Sequence, residues 1–317
     1  MEKRIRDIVN NVIEKCIELE KSVLLEDGSI KEEYQETLVD RYLDILMMLE
    51  KEISVVDLGI CIENESDKVK RFYIAYYLLD ERMFRQLNKE LGTVPGWKAE
   101  ARIRLYMMYL KVFREVLFLL ANGYSDCALA RTRTLYELGV YISIINKNTD
   151  VLAERFCRHC NVQSLKMAKA ISTEERINKI EEFIDQFNYE KGYKKDNGWA
   201  RVLLPHINNK RNIQFRDLIS LTDYNQYENI YKMACNFVHG SLFSSLESLD
   251  SAKEQRGKTF WNTSPSDEGI EEVIHFLKIY IVMFVSEYTR ELKEKTIFEN
   301  MLTLFLLGKE ILQDGNE

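Results

Sequence analysis

Two short stretches hold the residue types best suited to chemistry. The first, Tyr231-Lys-Met-Ala-Cys-Asn-Phe-Val-His-Gly-Ser241, reads as the last turns of a helix that ends on a histidine. Asn236 and His239 are three apart, so a helix turns both to one face. Gly240 is the residue type that stops a helix in a left-handed cap. An imidazole at a helix C-terminus is favoured as the cation and titrates near neutral pH, which suits a general acid or base. The second stretch, Ala130-Arg-Thr-Arg-Thr-Leu-Tyr-Glu137, spaces Arg133 and Glu137 four apart in an otherwise apolar helix. A guanidinium there offers a fork of donors to a phosphate or carboxylate, with Glu137 orienting it. The plainer alternatives are a structural ion pair and a histidine satisfied by a buried partner. The expectation is that the two stretches face each other in one cleft.

Two further clusters compete for attention. Cys157-Arg-His-Cys160 has C-x-x-C spacing, and Cys235 with His239 would complete four zinc ligands. Both pairs fall in predicted helices without the turn glycines of a zinc knuckle, so no metal is expected. Between Tyr189 and Asn212 six basic residues, Lys191, Lys194, Lys195, Arg201, Lys210 and Arg211, outnumber Glu190 and Asp196. With Tyr189, Tyr193 and Trp199 beside them, they could grip a single strand by charge and stacking; a solvated loop is the alternative. Lys194, Lys195, Arg201 and Lys232 are the candidate RNA contacts. Dinucleotide, P-loop, HExxH, GxSxG and EF-hand signatures are absent, and no cofactor is expected.

The elements that must position these groups are helical. The 317 residues include only 3 prolines and 13 glycines, and 46% are hydrophobic, enough for a sizeable core. Apolar residues recur at helical spacing almost throughout, which predicts an all-α multi-helix bundle. Gly92-Thr-Val-Pro-Gly96 suggests a boundary: an N-terminal helical arm over 1–93, for scaffolding or dimerisation, and a bundle over 94–317 carrying both motifs. The spacing predicts helices over 97–122 and 126–147, one from Asp150 through about Ile171, and one from Tyr224 to His239. Residues 240–269 read as a Ser-rich loop between the motif helix and two C-terminal helices.

A formal net charge of -7 argues against a generic phosphate-coating DNA binder. The apolar run Ile279–Val285 is too short for a bilayer, which needs about 20 residues, and reads as a buried helix. The six scattered cysteines and the lack of a leader-like apolar segment at the N-terminus favour a reducing, cytoplasmic setting.

Leu129-Ala-Arg-Thr-Arg-Thr-Leu-Tyr-Glu137, Glu154-Arg-Phe156 and Tyr231 through Gly240 together resemble a bacterial helical family, domain of unknown function 5677. Its Asn and His at a helix end are similar in turn to the HEPN superfamily, whose active members are metal-independent ribonucleases of toxin–antitoxin and phage-defence systems. That resemblance implies RNA as substrate, a homodimer that brings two motifs together, and an antitoxin or defence partner. It assigns His239 to proton transfer, Arg133 to the phosphate charge, Asn236 to holding the His or the phosphate, and Glu137 to orienting Arg133. The chain departs from the superfamily pattern upstream of His239, where Ala234, Met233 and Lys232 stand at the positions of its in-helix Arg. Arg133 would then supply that guanidinium from another helix. The alternative is a non-catalytic helical module that binds a ligand or a protein.

Overall fold

The computed structural model describes residues 2–23, 31, 38–90, 96–208, 210–238, 253–255, 258–260 and 265–290. Among them the fold is all-α, as the periodicity predicts. The helices are α1 (Glu2–Val23), α2 (Leu38–Glu52), α3 (Ser66–Glu90), α4 (Trp97–Ala121), α5 (Ser125–Lys147), α6 (Asp150–Arg158), α7 (Cys160–Ile171), α8 (Glu174–Asp185), α9 (Phe215–Ile219), α10 (Glu228–Val238) and α11 (Ile270–Thr289). Short 3-10 turns cover Gly198–Leu203 and Asp223–Tyr227, and Lys253–Gln255 pairs antiparallel with Lys258–Phe260. The last of the expected C-terminal helices and most of the expected 240–269 loop lie outside the described residues.

The chain forms two compact units, one of residues 1–90, 108–139 and 229–317, the other of 91–107 and 140–228. This division replaces the expected boundary at residue 93. In the first unit the N-terminal helices share a core with the second half of α4. Phe72 and Tyr76 of α3 meet the Phe113 ring edge-on at 6.5 and 6.0 Å, and the Cys61 amide donates to the Ala121 carbonyl at 2.8 Å. An aromatic face of this breadth loses most of its transfer free energy if left in water, about 25 cal/mol for each Å² of apolar surface. The arm is therefore built into the unit rather than set apart from it.

The apolar run at 279–285 does form a buried helix. Tyr280, Ile281, Phe284 and Val285 of α11 are all buried, and the Phe284 ring stacks on Tyr109 of α4 at 3.9 Å. The Tyr109 hydroxyl donates to the Tyr280 carbonyl at 2.9 Å. Between α4 and α5, Gly123 adopts φ +73°, and a Cβ there would sit 2.8 Å from the Ser266 amide nitrogen. The Ser125 hydroxyl donates to the Glu268 carbonyl at 2.6 Å. This glycine-permitted approach fixes the start of α5 against the segment that leads into α11.

In the second unit the helix expected from Asp150 to Ile171 is two. His159 closes α6 and opens α7, both in right-handed helical geometry. Thr149 stands at the N-cap of α6, and Asp150 accepts the Lys98 amide at 2.8 Å. The segment after α8 is irregular, and side-chain bonds from α6 hold it down. Arg155 donates from Nε to the Trp199 carbonyl at 3.1 Å and from Nη2 to Glu190 at 2.5 Å. Tyr193 donates its hydroxyl to the Arg155 carbonyl at 2.9 Å.

Candidate functional site

The Arg133–Glu137 pair sits in the middle of α5 in the first unit. Helical spacing puts the two side chains one turn apart, and Arg133 Nε donates to Glu137 Oε1 at 2.8 Å. Both side chains are 26% exposed, so the pair is half-buried and within reach of solvent. α10 packs against it through Tyr231. The Tyr231 hydroxyl donates to the same Glu137 Oε1 at 3.1 Å. The Arg133 guanidinium carbon lies 5.6 Å from the Tyr231 ring centre, within cation–π range. Tyr231 also stacks on Tyr136 of α5 at 4.9 Å, and Tyr136 meets Tyr280 of α11 edge-on at 5.7 Å.

The electrostatics follow from this packing. Burial works against the Arg133 charge, but the hydrogen bond and charge of Glu137 outweigh it and hold the guanidinium above its ordinary range. Burial pushes the Tyr231 phenol up, and the Glu137 carboxylate beside it pushes the same way. Tyr231 is therefore a neutral donor at physiological pH. Among the described residues, the Glu137 carboxylate and the Tyr231 ring orient this guanidinium cation.

The two motif stretches thus meet at their first shared contact, Tyr231 with Glu137. Asn236 is solvent-exposed, whereas Ala234 of the same helix is buried. Five residues on from Tyr231, Asn236 is turned by about 140° from the face that touches α5. His239 lies outside the described residues. Lys232 is exposed. Tyr231 is the residue whose role sequence reasoning missed; its position in the motif was visible, but its partner is 94 residues away.

The candidate RNA contacts in the second unit divide. Lys194 is exposed and pairs with Asp185 at 2.6 Å, and Lys195 is half-buried with its ammonium on the Lys210 carbonyl. Arg201 is corrected: it is 4% exposed and donates to the carbonyls of Ile207, Asn208 and Arg211 at 3.3, 3.3 and 2.8 Å. Its fork is spent on closing the loop and does not present a charge to a nucleic acid. Trp199 and Tyr193 are buried as well, so they offer no stacking platform.

Cys157 is half-buried and Cys160 exposed, both as free thiols in the second unit, and Cys235 belongs to the first. Burial raises the Cys157 thiol to about 11, which keeps it protonated rather than a ready metal ligand. Among the described residues no group of three or more His, Cys, Asp and Glu is arranged to hold a metal ion. A cavity of about 300 Å³ opens in the second unit beside Tyr189, Glu190, Tyr193 and Lys194. Among the described residues no helix is long and apolar enough to cross a membrane.

Residues 100–257 match the family model described as a family of unknown function, DUF5677. The match contains α5 and α10 and therefore the whole Arg133–Glu137–Tyr231 cluster. No curated protein and no solved structure matches the chain.

Proposed function

We propose that the first unit carries a metal-independent RNA-cleaving site and that the chain is an effector of a bacterial toxin or phage-defence system. The observation that carries this reading is the seating of α10 on α5 through Tyr231 and Glu137, which brings the helix leading to His239 against the one that bears Arg133. The HEPN-like Asn and His at the end of that stretch supply the reaction class. In the proposed reaction the 2′-hydroxyl oxygen attacks the adjacent phosphorus and the P–O5′ bond breaks. His239 relays the 2′ proton to the departing 5′-oxygen. The products are a 2′,3′-cyclic phosphate and a 5′-hydroxyl, with no water or metal consumed. Arg133 stabilises the charge that builds on the phosphate, Glu137 orients it, and Asn236 holds the histidine or a phosphate oxygen.

The test is incubation of purified protein with end-labelled RNA in EDTA. Cleavage to cyclic-phosphate ends that is lost in His239→Ala supports the reading. Intact RNA, together with no growth defect on expression of the wild-type chain, overturns it.

A second reading, a non-catalytic helical module, is favoured by one observation. Glu137 Oε1 accepts from both Arg133 and Tyr231, which is also how a tie between two helices is built. Under that reading the acidic net charge of -7 needs no RNA partner.

A further inference from the structure

The exposed face of α4 within the first unit is out of keeping with the rest of that helix. Val112, Phe113, Val116 and Leu117 are buried completely. On the other side, Phe118 is 62% exposed and Met108 is 48% exposed. Between them on the same face stand Lys111 and Glu115. The positions 108, 111, 115 and 118 advance by three, four and three, the spacing of a helix–helix seam.

We infer that this seam pairs with its own copy, antiparallel and across a two-fold axis that passes at the level of Phe113. In that register residues pair when their numbers sum to 226. Met108 of one copy meets Phe118 of the other, and Lys111 meets Glu115, each pairing occurring twice. The order apolar, basic, acidic, apolar is therefore complementary to itself only when reversed; a parallel pair would set Lys111 on Lys111 and Glu115 on Glu115. Two-fold, self-complementary contacts are the commonest way for one chain to pair with itself.

The charges on the face are in the state this pairing requires. Lys111 is exposed and makes no ion pair among the described residues. Glu115 takes Arg131 Nε and Nη2 on its Oε2, at 2.7 and 2.6 Å, and among the described residues Oε1 accepts no bond. Arg131 thus fixes the Glu115 carboxylate with one oxygen left for the second copy's ammonium. The contact is short, about 15 Å of helix between Met108 and Phe118. A seam of that length falls below the area of a standard stable interface, so the dimer forms reversibly with concentration. The inference stands apart from the proposed chemistry, since none of these four residues belongs to the Arg133 cluster.

The experiment is sedimentation velocity on the full chain over a concentration series, with two opposite charge reversals. Wild type should move from the 37.5 kDa monomer toward twice that mass as concentration rises. Lys111→Glu alone sets Glu against Glu twice, and Glu115→Lys alone sets Lys against Lys twice, so each should stay monomeric. Mixing the two variants restores both opposite pairs in a heterodimer, and the mixture should associate where neither component does. Circular dichroism melts on each variant separate a folded monomer from an unfolded chain, and Lys111→Glu, which breaks no hydrogen bond or ion pair among the described residues, serves if Glu115→Lys is unstable. A wild type that stays monomeric at every concentration, a Lys111→Glu chain that still dimerises, or two folded variants that fail to associate when mixed would each overturn the seam.

Discussion

Tyr231 donates its hydroxyl at 3.1 Å to the very oxygen of Glu137 that Arg133 Nε holds at 2.8 Å. One carboxylate oxygen therefore couples α5 to α10, and the phenol of Tyr231 has a task separate from that of its ring. Tyr231→Phe removes the hydrogen bond but keeps the stack on Tyr136 and the contact with Arg133. It should cost about 1–2 kcal/mol in urea unfolding with an unchanged m-value. Tyr231→Ala removes the ring as well and should cost about 3 kcal/mol or more. Equal losses in the two variants would mean that the ring contributes nothing.

Burial raises several phenols together: Tyr73 to about 12, and Tyr109, Tyr193, Tyr231 and Tyr280 upward as well. A phenol whose folded pKa lies above its unfolded value of about 10 binds its proton more tightly in the native state. Its contribution is complete below pH 10 and is lost as pH rises from there toward the folded values. Stability should therefore hold to about pH 10 and then fall steeply. Phenolate absorbance should rise together with loss of ellipticity rather than ahead of it. Early, non-cooperative ionisation of all the tyrosines would contradict this packing.

His159 gives the second unit the opposite dependence. Its Nε2 lies 3.1 Å from the Tyr193 carbonyl and 3.0 Å from the Lys195 carbonyl, and one N–H serves both. Burial holds its pKa below the usual histidine value, and Lys166 pushes the same way; the two carbonyls and Asp196 push it up by less. A histidine with a depressed folded pKa takes up its proton first in the unfolded chain. The stability it supports is complete above about pH 6.5 and declines as pH falls below that value. Amide protection factors in the 189–204 segment, taken relative to intrinsic exchange at each pH, should fall between pH 7 and 5, and His159→Gln should flatten that dependence. A segment indifferent to pH would place the control elsewhere.

The parts of this fold that were legible in the sequence are those set by neighbours along the chain. The bounds of α4 and α5 follow from apolar spacing and the Asn122-Gly123 break, and the Arg133–Glu137 bond follows from a separation of four. What was not legible depends on distant partners. The phenol of Tyr231 reaches across 94 residues, and nothing in its local sequence points to Glu137. The N-terminal helices look like a separate arm until Phe72 is found against Phe113. Arg201, in a basic segment, reads as a surface charge, yet three backbone carbonyls gather around it. The break at His159 carries no Gly or Pro; side-chain bonds to another segment mark it instead.

The close approach of Gly192 to Arg201 supplies an independent check on that loop. Gly192 has φ +110°, and a Cβ there would lie 2.8 Å from Arg201 Nε. Gly192→Ala combines a backbone strain of about 1–3 kcal/mol with a clash against a buried guanidinium. Arg201→Met leaves three carbonyls without their donor and should cost at least as much. Both variants should open the 189–212 segment to limited proteolysis. A stable, protease-resistant Arg201→Met would return Arg201 to the surface.

Arg133→Lys separates the two readings of the α5–α10 cluster. A lysine keeps the charge near Glu137 but lacks the Nε donor and the planar face that lies on Tyr231. If the cluster is a tie between helices, the variant should lose about 1–2 kcal/mol of stability and nothing else. If Arg133 also cradles a phosphate, kcat for RNA cleavage should fall by about ten- to a hundredfold with KM changed far less, because the planar fork matters most as charge builds in the transition state. Measuring the melt and the cleavage kinetics on the same preparation, at a temperature where the variant remains folded, keeps these effects apart. A variant with the wild-type kcat and only the lower melting temperature would assign Arg133 to architecture and leave His239 without its proposed partner.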